Sequence, residues 1–319
     1  MERTTRQMDS KTGKAKNGFF HLVEERIRHF EKLGKKKTAG NYACAFRHFK
    51  QFRKGKDIAM EELSINEMKD FQIYLIDNGL KMNTISLYNR ELRAVYNYAL
   101  DEEIIQTDRR PFRKSFTGQE KTRKRAVDGR IIKRLAVIPL TGHGMIGFAR
   151  DLFLFSIYMQ GMPFVDIAHL KKEQVKNGWI IYRRRKTNRQ LRVKIHPQAQ
   201  AIIDKYYVAD TDCPYLFPIL YNPQKRTGRK YSSAIRVYNK RLYHLSVLLG
   251  LDEPLTSYVA RHTWASLARQ CGTSDTVICE AMGHSHVGVT TIYLASLDTG
   301  TVAMANRKVI TTLFGKCTT

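Results

Sequence analysis

From Phe19 to Tyr96 the apolar residues recur three and four apart, in four groups: Phe19, Leu22, Val23, Ile27, Phe30; Tyr42, Ala45, Phe46, Phe49; Phe71, Tyr74, Leu75; and Ile85, Tyr88, Leu92, Val95, Tyr96. An α-helix turns about 100° per residue, so this spacing gathers each group onto one face and predicts four amphipathic helices. Four such faces can be buried only against one another, which makes residues 17–105 a small all-α domain. The ends of the helices are also written in the sequence. Gly34 follows the first, Ser64-Ile65-Asn66-Glu67 has the form of a capping box for the third, and Asp77-Asn78-Gly79 stops it.

The period is lost over residues 106–125, which gain Pro111, Gly118 and eight basic side chains. That stretch reads as a basic interdomain linker able to follow a polyanion backbone. Residues 1–16 are polar and basic without a period, and read as a flexible basic leader. A second domain, 126–319, opens with helical patterns near Asp128–Val137 and Met145–Met159. Trp179 to Ile195 then alternates apolar and basic residues about a polar centre at 184–189, the mark of a β-hairpin. Helical patterns return near Pro197–Tyr207, Ser233–Leu249, Thr256–Arg269, Ser274–Met282 and Val287–Ala295, so the fold class is mainly α with a small antiparallel sheet.

Charge points to the partner. The chain carries 55 Lys and Arg against 29 Asp and Glu, a net +26, and the excess is shared by both halves. Such a field suits a nucleic acid. No apolar run approaches the roughly 18 residues of a membrane span, and the N-terminus lacks the apolar stretch of a signal peptide. The five cysteines are scattered and never spaced as C-x-x-C, which fits a reducing compartment. A cytoplasmic protein with a nucleic acid as partner and no membrane is the expectation.

The chemistry gathers near the C-terminus, where Ala260-Arg261-His262-Thr263-Trp264 precedes Gly283-His284 and Tyr293. Breaking a phosphodiester requires donors for the charge on the non-bridging oxygens, a nucleophile, and an acid for the leaving oxygen. Arginine and histidine supply the donors, and a tyrosine hydroxyl, helped by neighbouring cations to lose its proton, supplies the nucleophile. His284 and Tyr293 are nine residues apart, about half a turn out of phase on one unbroken helix, so the chain must bend between them. His284-x-His286 with Cys279 matches no common metal-ligand spacing.

Taken together, these motifs resemble the tyrosine recombinase, or phage integrase, family: a helical SAM-like core-binding domain, a basic linker, and a mixed α/β catalytic domain with the order Arg, hairpin Lys, His-x-x-Arg, Gly-His, Tyr. Met282-Gly283-His284 through Tyr293 matches the last two elements, and Lys186 in Arg184-Arg185-Lys186-Thr187 falls at the hairpin lysine. The resemblance implies a site-specific recombinase in which Tyr293 attacks the phosphodiester to give a 3′-phosphotyrosine, Arg261 and His284 stabilise the transition state, and Lys186 protonates the leaving 5′-oxygen, without ATP or metal. It also implies four protomers on two DNA sites, with room for accessory DNA-bending proteins, and docking on a neighbour of apolar tail residues such as Val302, Ala303, Met304, Ile310 and Leu313, which could equally pack in cis.

Two positions depart from the pattern. Pro163, in Gly161-Met162-Pro163-Phe164-Val165-Asp166-Ile167, stands where the family carries its first arginine, and Tyr258 stands where it usually carries histidine. Tyr258 can donate a hydrogen bond but is no ordinary base at neutral pH. Arg150 is the first candidate to replace the missing arginine, with Lys171, Lys172 and Arg184 as competitors. Two alternatives remain open: a type IB topoisomerase using the same intermediate, and a catalytically silent DNA-binding factor. Integration, excision and inversion are equally compatible with the sequence.

Overall fold

The computed structural model describes residues 18–120, 125–140, 144–210 and 212–284, with His286, Gly288 and Thr290. It divides into two compact units, Met1–Thr122 and Arg123–Thr319. The expected leader, most of the helix expected at 287–295 and the apolar tail residues lie outside the described residues.

The first unit contains the four helices that the period predicts: α1 (Phe19–Lys32), α2 (Lys36–Phe52), α3 (Ile65–Asp77) and α4 (Met82–Asp101). Their apolar faces meet in one core in which Phe19, Phe49, Phe71, Ile85, Leu92 and Val95 are fully buried. Phe49 packs edge-on to Phe19 and Phe71, with ring centroids 5.2 and 5.0 Å apart. Ser64 caps α3 by accepting from the Glu67 amide at 3.1 Å, but the Glu67 carboxylate pairs with Arg53 at 2.7 Å.

Residues 106–120 differ from the expected linker. They run back along α4 as a strap. Phe112 is buried in the core, and its neighbours are held by a polar stripe on α4. Asn83 accepts from the Glu120 amide, Ser86 donates to the Gly118 carbonyl, Asn89 donates to the Phe116 carbonyl, and the Tyr96 hydroxyl accepts from the Arg109 amide. Gln72 on α3 adds an acceptor for the Phe116 amide at 2.7 Å. Buried backbone without regular structure needs such partners, which explains why Ser86 and Asn89 are fully buried in α4.

In the second unit, α6 (Gly144–Tyr158) is the central element. Its residues 151–156 are buried without interruption, as in a helix covered on all sides. Around it pack α5 (Gly129–Val137), α8 (Pro197–Tyr206), α9 (Tyr231–Leu248) and α10 (Val259–Gln270). The expected hairpin is present as β2 (Trp179–Arg183) and β3 (Gln190–Lys194), joined by β1 (Val175–Lys176) into an antiparallel three-stranded sheet. Register pairs Ile180 with Val193 and Tyr182 with Leu191, and all four are buried. A short helix α7 (Phe164–Ala168), a second two-stranded ribbon of β4 (Tyr221–Asn222) and β5 (Thr227–Gly228), and α11 (Asp275–Met282) complete the unit. No described helix is long and apolar enough to cross a membrane.

Candidate active site

Helix α11 ends on Gly283, whose left-handed backbone (φ 62°, ψ 42°) turns the chain out of the helix. That turn has two requirements for glycine. The positive φ is one; the other is space, because a Cβ at 283 would lie 2.8 Å from Arg184 Cδ. The last carbonyls of a helix have no partner within it and form its negative end. Here they are used to hold cations.

Arg261 comes from the first turn of α10 and is 1% exposed. Its Nη2 donates to the Met282 carbonyl at 2.6 Å and its Nη1 to the Gly161 carbonyl at 2.8 Å. Gly161 precedes α7 and lets this approach occur: a Cβ there would sit 3.1 Å from Arg261 Cα. Arg184 arrives from the hairpin. Its Nη1 donates to the same Met282 carbonyl at 2.8 Å and to the Gly283 carbonyl at 3.1 Å.

His284 lies directly beyond the turn and is buried. Arg261 Nη2 is 2.9 Å from its Nε2, and Thr290 Oγ1 is 2.8 Å from its Nδ1. A guanidinium only donates, so Nε2 accepts and the ring proton resides on Nδ1, which donates to Thr290. Burial pushes the imidazole pKa down to about 3, helped by the positive charges of Arg261, Arg184, Lys186 and His286. The ring is therefore neutral at physiological pH.

The turn of the hairpin is fixed by α7. Asp166, itself buried, accepts from the Arg185 amide at 2.9 Å through Oδ1, and its Oδ2 lies 3.5 Å from Arg184 Nε. Lys186 sits exposed on this turn. Tyr258 immediately precedes α10 and is 40% exposed, with its ring 5.7 Å from that of His262.

Of the residues expected at the site, Arg261 and His284 are thus in contact, Lys186 is near enough for its charge to act on His284, and Tyr258 stands one turn before Arg261. Tyr293 lies outside the described residues. The chain leaves α11 at Gly283, before His284, and the backbone is helical at Gly288 and Thr290; the rest of the path to Tyr293 lies outside the described residues. Arg150 does not join the cluster: it pairs with Asp151 at 2.8 Å and donates to the Ile138 carbonyl at 3.2 Å. Lys171 and Lys172 are likewise engaged elsewhere, by Glu173 and by the Asp210 carbonyl. Asp166, Thr290 and the Met282 carbonyl were not anticipated. Arg184 was one competitor among several, yet the alternation that buries Ile180 and Tyr182 places residue 184 on the same face.

Two family models match the chain: the phage integrase SAM-like domain over residues 18–116 and the phage integrase family over residues 146–299. No curated protein sequence matches it. Among solved structures, the Tn1549 transposon integrase in complex with transposon right end DNA is similar, with a TM-score of 0.67 and 14% identity over 92% of this chain and 99% of that one. A lambda integrase dimer bound to a COC′ core site has a TM-score of 0.65 at 15% identity, covering 88% and 99%. A lambda integrase tetramer bound to a Holliday junction has 0.66 at 16%, covering 91% and 82%. With an integrase model matched in each of its two units, the chain belongs to the phage integrase family, the tyrosine site-specific recombinases.

Proposed function

We propose that this chain cuts and rejoins double-stranded DNA with Tyr293 as nucleophile, Arg261 and His284 as transition-state donors and Lys186 as the acid for the leaving oxygen. The observation that carries the reading is the buried contact between Arg261 and His284 on the carboxyl end of α11, beside a hairpin turn that bears Lys186. The Tyr293 hydroxyl releases its proton to solvent as its oxygen attacks phosphorus, the bond to the 5′-oxygen breaks, and that oxygen takes a proton from the Lys186 ammonium, which solvent then restores. A 3′-phosphotyrosine results. Attack by a partner strand's 5′-hydroxyl reverses the step at little energetic cost, since one phosphodiester replaces another, and no cofactor is needed.

His284 has to change its hydrogen bonding during this cycle. In the DNA-free chain its Nε2 is an acceptor from Arg261; to donate to a phosphate oxygen, the proton must move to Nε2. Thr290 allows the exchange because a hydroxyl can accept from Nδ1–H or donate to bare Nδ1. Tyr258, one turn before Arg261 and partly exposed, is a further donor for the same phosphate.

The net charge of +26 suits the polyanionic partner, and the DNA-bound integrases to which the fold is similar support the same reading. In this reading four protomers act on two duplexes, accessory DNA-bending proteins being compatible with that assembly but no part of the chemistry, and the site of action is the cytoplasm. The residues 121–125 are the connector between a core-binding domain and a catalytic domain in this reading. The test is a duplex selected by binding from a random-sequence pool and nicked beside the scissile phosphate, so that cleavage traps the adduct. A covalent complex with the parental protein and none with Tyr293→Phe is expected. No adduct from the parental protein, or an equal adduct with Tyr293→Phe, overturns the proposal.

A further inference from the structure

Arg184 is the second buried guanidinium of the site. It leaves the end of β2 on the inward face and is 6% exposed. Three of its N–H groups are committed: Nη1 to the Met282 and Gly283 carbonyls, and Nε toward Asp166 at 3.5 Å. Among the described residues, Nη2 bonds to nothing. The group is therefore held in one orientation with a donor pair to spare, as a fork for an oxyanion must be.

Its neighbour makes the case stronger. Arg184 and Arg261 donate to one carbonyl oxygen, which brings two like charges close together inside the protein. A single carboxylate, Asp166, stands beside Arg184, and Lys186 adds a third positive charge nearby. Holding these cations together is unfavourable unless an anion enters between them. A phosphodiester has the charge and the two non-bridging oxygens to do so.

Pro163 has no donor to offer. It starts α7, where its carbonyl accepts from the Asp166 and Ile167 amides at 2.9 and 3.1 Å. Asp166, three residues on, reaches the hairpin instead and fixes both the Arg185 backbone and the Arg184 side chain.

We infer that Arg184 is a catalytic residue of the phosphate clamp, taking one non-bridging oxygen of the scissile phosphodiester while Arg261 takes the other, with Asp166 as its positioning residue. This rests on the proposed function and adds the donor that the position of Pro163 lacks.

The experiment uses the full chain and the nicked duplex described above, in two forms: one with the natural phosphate and one with a neutral methylphosphonate at the scissile position. Arg184→Gln can still donate to the Met282 and Gly283 carbonyls but carries no charge. It is expected to form adduct about 10²–10³-fold more slowly than the parental protein on the phosphate, and to recover at least tenfold of that loss on the methylphosphonate, where there is no anionic charge left to neutralise. A purely structural arginine gives the same loss on both. Arg184→Lys, which keeps a cation beside Asp166, is measured on the same pair in case the neutral variant does not fold; its loss on the phosphate should be smaller and its recovery smaller. A parental rate for Arg184→Gln, or an equal loss on both duplexes in whichever variant folds, overturns the inference while the parental adduct keeps the proposed function intact. Absence of adduct from the parental protein overturns both.

Discussion

Arg261 and Arg184 donate to the same acceptor, the carbonyl oxygen of Met282, at 2.6 and 2.8 Å. One comes from a helix and the other from a hairpin, 77 residues apart in the chain, and the last turn of α11 holds both. The site is therefore organised around a main-chain oxygen. Anything that moves the end of α11 moves both cations.

Arg261→Gln is expected to slow adduct formation by at least about 10²–10³-fold. Affinity for DNA, which sums many phosphate contacts, should fall only a few-fold. Timed adduct formation and gel-shift titration of the same preparation separate the two quantities.

Gly283→Ala combines a positive φ with a Cβ placed 2.8 Å from Arg184 Cδ, whereas Gly34→Ala combines a similar φ of 70° with open space. The change at Gly34 should cost about 1 kcal/mol. The change at Gly283 should cost more and should also reduce adduct formation, because the side chain it displaces is Arg184. Urea unfolding and the cleavage assay on both variants check the contrast.

His284 is expected to make stability depend on pH. Its imidazole has a pKa of about 3 in the folded chain and about 6.5 when unfolded. Between these values the unfolded chain binds more protons, so this contribution is full above pH 6.5 and is lost as pH falls toward 3. Between pH 7 and pH 5 the loss should be at most about 2 kcal/mol. Urea titrations at the two pH values should show a smaller difference for His284→Gln than for the parental protein.

Phe112→Ala should destabilise the first unit by about 3–4 kcal/mol, as for a large aromatic taken from a core, while Arg113→Ala, one residue on and exposed, should change stability by less than about 0.5 kcal/mol. Removing the buried donor in Asn89→Ala should cost about 1–3 kcal/mol. Denaturant unfolding of the three variants tests whether the strap belongs to the core.

What could be read beforehand follows from what repeats. The four helices of the first unit were legible because Phe19, Phe49, Phe71 and Leu92 sit at helical spacing. The hairpin was legible because Ile180 and Tyr182 alternate with exposed neighbours. The strap was not, since irregular backbone carries no period, and its partners Asn83, Ser86 and Asn89 look like solvated positions on α4 until the segment they bind is seen. Arg261 and His284 could be paired from their motifs alone. The shared carbonyl could not, because a main-chain acceptor leaves no mark in a side-chain pattern, and three successive arginines at 183–185 hid the inward one. Arg150 was preferred as the replacement on its place before Pro163, a sequence proximity that Asp151 and Ile138 turn to another use.

The strap on α4 also changes how the chain should respond to a protease. Arg109, Arg113 and Lys114 offer trypsin three cleavage sites, Arg110 being shielded by the proline that follows it, in a stretch whose composition suggests an open tether. A protease must draw several residues of extended backbone into its cleft, and here that backbone is tied at Arg109, Phe116, Gly118 and Glu120. Cutting at these sites has to wait for the segment to lift away from α4, so the most basic part of residues 106–120 should be among the slower places to nick, at a rate set by an opening equilibrium.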